Sequence, residues 1–464
     1  MSPHQRIDPV CDDAIQPPAS SDGVQTQAEI WLGRMRERHP LFVERVPLDA
    51  LERWAFEGDP LRLRHESGKF FSIDGIRTTT DYGPIPVWDQ PIINQPEVGI
   101  LGILTRVDDG VRRYLMQAKV EPGNIGGAQI APTLQATWSN YNRVHGGARP
   151  KYLEYFIGER PARVRFDQPQ PEQASRFLKK LNRNVVLEID EEPLVHDEFR
   201  WFTLEEIKLM LRSDNIVNMD ARSVLSCIGL ATRETLPHER AAIDDFGASL
   251  LDSANICGSL DAILAWLSDL RARHHFDVTR RGLDRLDAWE LTSDELRHRE
   301  GQFFSVIGAR ARINSREVCE WMQPLVYHAG KGLNGFVAQR IDDVLHFLVR
   351  ACFYPGNRSM FELGPTISRS NYESVTQRMP MLPFIELFLD PPAGSVRHSS
   401  IQSEEGGRFY HYQNRYMILE LPEGSLRDHP PEYRWMTLGQ IQRLLGDGLF
   451  TIEARNLLAC LSLG

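Results

Sequence analysis

Gln117, Lys119 and Glu121 alternate along the run YLMQAKVEPGN, so an extended chain sets an amide, an ammonium and a carboxylate on one face, next to a Pro-Gly-Asn turn. A positioned carboxylate can take a proton, and an ammonium can hold an oxyanion as it develops. Gln129, Thr133 and Gln135 follow on the next apolar stretch. Asn140, Tyr141, Arg143 and His145 then lead into Gly146-Gly147, with Lys151 beyond. Residues 111–152 thus carry more reactive groups than strand pairing needs, and the set suits a site that does acid–base work.

The stretch returns in weaker form. Val111, Leu115, Ala118, Pro122, Gly123, Asn124, Pro132 and Thr133 recur as Val344, Leu348, Ala351, Pro355, Gly356, Asn357, Pro365 and Thr366, each 233 positions further on. The chain is a tandem duplication. Gln117, Lys119 and Glu121, however, become Arg350, Cys352 and Tyr354, so the two copies cannot share one acid–base chemistry. Residues kept by both copies discriminate function poorly, because duplication preserves positions the fold needs. Trp88-x-Gln90-Pro91 and Trp321-x-Gln323-Pro324 read as core packing or as a stacking wall for a base or sugar. Asn124 reads as a turn residue or a ligand contact.

The elements that must position these groups follow from pattern. AEIWLGRMRERH (28–39) and AWLSDLRARH (265–274) have helical spacing and open the two copies. VGILGILTRV and VRRYLMQAKV, joined through Asp108-Asp109-Gly110, predict a hairpin, with a copy at GFVAQRI and VLHFLVRACF. Residues 172–184 suggest a helix and 185–189 a strand. Thr203 with Glu206 and Thr437 with Gln440 have capping-box spacing. Final helices carry Ala221-Arg222 and Ala454-Arg455. The expectation is an α+β fold built of antiparallel hairpins: a tail over 1–28 that is disordered, repeat one over 29–230, a linker with some helix over 231–262, and repeat two over 263–464.

Composition bounds the function. A hydrophobic share of 42% and a charged share of 25% are ordinary for a soluble protein, and no run approaches the ~20 apolar residues of a membrane span. The N-terminal stretch lacks the apolar centre of a signal peptide, and six dispersed cysteines without a CxxC pair suit reduced thiols, so a cytoplasmic location is expected. A net charge of −10 argues against nucleic acid, while Arg predominates over Lys, 46 to 7, and suits a small anionic ligand. The phosphate-loop, hydrolase-elbow and zincin motifs are missing, and no metal or nicotinamide site is expected.

The run FFSIDGIR…VWDQPIINQPEVGILGILTR…LMQAKVEPGN…PTLQATWSNYNRVHGG…YLEYF, at 70–157, resembles the NDP-hexose 2,3-dehydratase family, and the likeness extends through both copies from about 29 to 464. The resemblance implies two similar Nudix-like domains, each a mixed or antiparallel sheet with flanking helices, without the metal-binding box of Nudix hydrolases. It implies loss of water across C2 and C3 of dTDP-4-keto-6-deoxy-D-glucose, with no cofactor, giving a 3,4-diketo-2,6-dideoxy sugar for a partner 3-ketoreductase. A homodimer is expected. The chemistry needs a base, for which Glu121 is the first choice, a group on the C4 oxygen, for which Lys119 and Tyr141 compete, and an acid, for which His145 is the candidate. Arg77, Arg143 and Lys151 are candidates for the pyrophosphate. Trp88, Gln90, Gln117, Asn124, Gln129, Thr133, Gln135 and Asn140 complete the binding set. The rival readings are a non-catalytic nucleotide-sugar-binding scaffold and, disfavoured by the missing box, a nucleotide-sugar hydrolase.

Overall fold

The computed structural model describes residues 27–137, 149–228, 243–256, 258–313, 319–372 and 382–461. The tail to residue 26 lies outside them, as do Asn140, Tyr141, Arg143 and His145.

Each copy contributes a seven-stranded sheet. In the first, the strands Gly99–Asp108 and Val111–Lys119 form the expected antiparallel hairpin, turned by Asp109 and Gly110 at positive φ. Gln129–Pro132, Leu134–Ala136 and Phe199–Thr203 pair around it, and Leu181–Glu188 runs parallel to Gly99–Asp108. The second sheet repeats this, with Gly332–Ile341 antiparallel to Val344–Cys352 and parallel to Gln413–Leu421. The α+β class holds, but each sheet carries one parallel pairing that the hairpin reading did not include. Both capping boxes form, Thr203 with Glu206 and Thr437 with Gln440, each threonine hydroxyl accepting from the backbone three residues on.

Residues 172–180 are not helical; they form turns leading into the strand Leu181–Glu188. Tertiary contacts override the local helical signal. The Ile93 amide donates to Arg176 O (2.8 Å) and the Leu178 amide to Ile93 O (2.9 Å), while Phe177 enters a core shared by both copies.

The copies are interleaved. The strand Leu41–Val46 of the first copy pairs antiparallel with Ser305–Ile313 of the second, and Phe276–Arg281 of the second pairs with Ser72–Thr80 of the first. A side chain at Gly75 or Gly308 would press within 2.6 Å of the lent strand's carbonyl, Arg281 O or Val46 O, so both positions need glycine. At the centre, the helices Met219–Leu225 and Ile452–Ala459 each bury an arginine completely. Arg222 donates to Asn456 Oδ1 (2.8 Å), Gln402 Oε1 (3.1 Å) and Ser403 O (2.7 Å), and Arg455 to Ser223 Oγ and Pro171 O. Burying a guanidinium is costly unless its charge is met by hydrogen bonds, and the bonds these two make across the copies fix one against the other.

Among the described residues, no helix is long and apolar enough to cross a membrane.

Candidate active site

The strand Val111–Lys119 ends at the turn 121–124, and that turn is held by the other copy. The Gly123 amide donates to Gly406 O (2.7 Å), and Gly123 O accepts from the His411 amide (3.0 Å). Any side chain at Gly123 would sit 1.6 Å from Phe409 O. Asn124 closes the turn, its Nδ2 donating to Lys119 O (3.2 Å). Asn357 does the same to Cys352 O (3.0 Å) in the second copy, so this shared asparagine serves the turn.

Within this frame Lys119, Glu121 and Gln135 converge. Glu121 Oε1 lies 3.2 Å from Lys119 Nζ and accepts from Gln135 Nε2 at 2.9 Å. Gln135 is oriented in turn by Asn218, whose Nδ2 donates to Gln135 Oε1 (3.2 Å) while its own Oδ1 caps the helix Met219–Leu225. Glu121 is 8% exposed, and its second oxygen, Oε2, is buried without a hydrogen-bond partner among the described residues. Lys119 and Gln135 are half-buried. One carboxylate oxygen is therefore fixed and the other left unengaged, the arrangement expected of a group that takes up a proton.

Two further acids, which motif reading passed over, complete the cluster. Asp220 opens the helix behind Asn218 and is almost wholly buried. Burial raises its carboxyl well above the ordinary range, Glu405, Glu172 and Glu121 reinforce the shift, and Lys119 opposes it. Glu405 belongs to the second copy. Burial pushes its carboxyl up to about 7, against the pull of Arg408 and Lys119 and with Glu121 and Glu172 adding to the rise. The repeat held a signal for Asp220, since Asp220-Ala221-Arg222 matches Glu453-Ala454-Arg455. Nothing local pointed to Glu405, which reaches the site only because the copies interleave.

The remaining candidates fall elsewhere. Gln117 is half-buried one step back along the strand, paired with Phe199. Thr133 donates to Leu115 O and accepts from the Leu104 amide (2.9 Å), as Thr366 does with Leu348 O and the Val337 amide, so both threonines stitch strands. Gln129 is fully buried and clasps Ser403 across the copies at 2.8 and 3.0 Å. Trp88 and Gln90 lie toward the second copy's turn: Trp88 packs edge-on to Phe353, and Gln90 bonds Trp88 and Ser175 O. Their counterpart Trp321 packs on the core that contains Ala118 and Val120. Arg77 pairs with Asp89 (2.7 Å) and Asp287. Lys151 pairs with Glu198 and lies over the Phe199 ring.

The comparisons with known proteins fit this duplicated plan. A family model described as NDP-hexose 2,3-dehydratase matches twice, over residues 25–228 and 260–461. A dTDP-4-dehydro-6-deoxy-alpha-D-glucopyranose 2,3-dehydratase of Saccharopolyspora spinosa is 41% identical over 94% of this chain and 91% of its own. Proteins of the same name from Amycolatopsis orientalis and Streptomyces violaceoruber are 38% and 39% identical over 96% and 93% of this chain, and 92% and 95% of their own. A crystal structure of an ADP compounds hydrolase aligns with 31% of this chain and 76% of its own at 14% identity, with a TM-score of 0.21, too low to inform the fold. With both copies matched and the relatives aligned almost end to end, the chain belongs to the NDP-hexose 2,3-dehydratase family.

Proposed function

We propose that this protein removes water across C2 and C3 of dTDP-4-keto-6-deoxy-D-glucose, and that the first copy's site does the chemistry. The relatives' names supply the substrate, and the Lys119–Glu121–Gln135 cluster is the observation that carries the site. The C4 ketone acidifies the C3 hydrogen. Glu121 takes that proton on Oε2 while Lys119 and Gln135 hold Oε1, and the Lys119 ammonium receives the C4 enolate oxygen. The C2 hydroxyl then departs as water. The resulting enol ketonises to a 3,4-diketo-2,6-dideoxy sugar, which a 3-ketoreductase would consume. The reaction is a hydro-lyase step, carried out by a cytoplasmic homodimer. The second copy, with Cys352 and Tyr354 in place of Lys119 and Glu121, binds nucleotide-sugar without turnover or only supports the dimer. Incubation with dTDP-4-keto-6-deoxyglucose, with and without a ketoreductase, followed by mass spectrometry tests this. Substrate that returns unchanged, with no loss of 18 mass units, would sink it.

A further inference from the structure

We infer that Glu405, supplied by the second copy, donates the proton that carries away the C2 hydroxyl. The inference rests on the dehydration proposed above and adds the acid that Glu121 cannot also be. A Cβ placed on Gly407 would lie 2.9 Å from Glu405 Oε1 and 3.5 Å from Glu121 Oε1, so the two carboxyl groups flank a single point in the site. Glu121 Oε2 is buried without a hydrogen-bond partner among the described residues. Glu405 is half-buried.

The charges nearby are Lys119 and Glu121 from the first copy's strand end, Asp220 from its helix, Glu172 from its 172–180 turns and Arg408 from the second copy. Lys180 faces Glu172, Glu405 and Arg408 from the same turns. Asp220 and Glu405 are thus buried among further acids, and burial favours the protonated form of both against the pull of Lys119 on each and of Arg408 on Glu405. The upward shift of Glu405 to about 7 leaves a proton available near neutral pH. At the matching position of the second copy's turn site stands Gln173, lent by the first copy, which bonds Glu453 and has no proton of this kind to give.

The step balances. Enolate electrons re-form the C4 carbonyl, the C3–C4 pair shifts to C2–C3, and the C2–O bond breaks as Glu405 gives its proton to the leaving oxygen, releasing water. Glu121 holds the proton taken from C3 and returns it to the carboxylate left on Glu405. Ketonisation moves a proton from the C3 hydroxyl to C2 without an oxidant or reductant.

Glu405→Gln separates the roles. The variant should lower dehydration by about 10²–10⁴-fold yet still exchange the C3 hydrogen with solvent deuterium. It should also release fluoride at close to the wild-type rate from the analogue bearing fluorine at C2, because fluoride departs without an acid. Retained exchange together with fluoride release would show a folded site that lacks only its donor. Dehydration within about threefold of wild type would overturn the inference. So would loss of fluoride release, with or without loss of exchange, since a missing acid accounts for neither. A wild-type enzyme that neither exchanges nor dehydrates would instead defeat the functional reading itself.

Discussion

The two turn sites of this molecule share a frame and differ in what it holds. Gly123 and Gly356 are gripped alike: the first donates to Gly406 O, and the second to Ala174 O at 2.8 Å. Asn124 and Asn357 close both turns, and Thr133 and Thr366 stitch both sheets. Inside the first frame stand Lys119, Glu121, Gln135 and Glu405; inside the second, Cys352, Tyr354, Ser368 and Gln173. In the second, Tyr354 bonds Ser368 and Cys352, and burial pushes the Cys352 thiol up to about 12. Those groups remain neutral and satisfy one another. The comparison teaches that a duplicated fold can keep its backbone contacts while the acid–base set survives in one copy.

The largest expected effect would break the comparison outright if it failed. Glu121→Gln should reduce kcat by about 10²–10⁴-fold and abolish exchange of the C3 hydrogen while leaving dTDP-sugar affinity near wild type. Tyr354→Phe should leave kcat within about twofold. Reversed outcomes in steady-state kinetics would mean that the copies have been assigned the wrong way round.

Lys119→Met should come next, with kcat lower by about 10²–10³-fold as expected for loss of a donor to a developing oxyanion. Cys352→Met, the matching change, should leave kcat unmoved. A Lys119→Met enzyme with normal kcat and raised KM would make the lysine a binding group only.

Stability should respond to both copies alike. Gly123→Ala would place a methyl group 1.6 Å from Phe409 O, and Gly356→Ala 1.8 Å from Phe177 O. Each should cost about 3 kcal/mol or more in thermal or denaturant unfolding, because a backbone carbonyl must shift. If one change were tolerated, the two grips would not be equivalent.

A smaller effect separates the copies by pH. Glu362 occupies the position of Gln129, and burial pushes its carboxyl up to about 8. Its folded value exceeds its unfolded value, so its stabilising contribution is full below about 4.5 and lost as pH rises through about 8. Glu362→Gln should remove this dependence. Relative to wild type, its stability should rise by about 2 kcal/mol between pH 6 and pH 9, a shift of a few degrees in Tm. Parallel Tm curves for the two proteins would refute the assignment.

Much of this was legible in the residues. Hairpin alternation gives Val111–Lys119, the T-x-x-E/Q spacing gives both capped helices, and the 233-residue repeat exposes the replacement of Lys119 and Glu121 by Cys352 and Tyr354. Several binding candidates were polar for reasons of folding. Gln129 and Thr133 spend their hydrogen bonds on Ser403 and Leu115 O, and the Asn124 amide nitrogen bonds Lys119 O. A sequence shows that such a residue is polar but not whether a backbone carbonyl will be its partner. The segment 172–180 misled for a related reason, since its helical pattern yielded to backbone bonds with Ile93.

The sequence by itself determined the duplication, the local elements and the inequality of the copies, because these rest on periodicity and residue identity within short spans. Only the tertiary structure decided that each copy lends its first strand to the other, that Trp88 packs against Phe353, and that Glu405 reaches the Glu121 site. Those facts depend on contacts between residues far apart in the chain, 234 positions for Arg222 with Asn456 and 284 for Arg455 with Pro171, formed when two similar apolar faces and two buried arginines find partners in the opposite copy. No local pattern encodes which of two equivalent partners a strand will choose; burial of the whole interleaved core makes that choice.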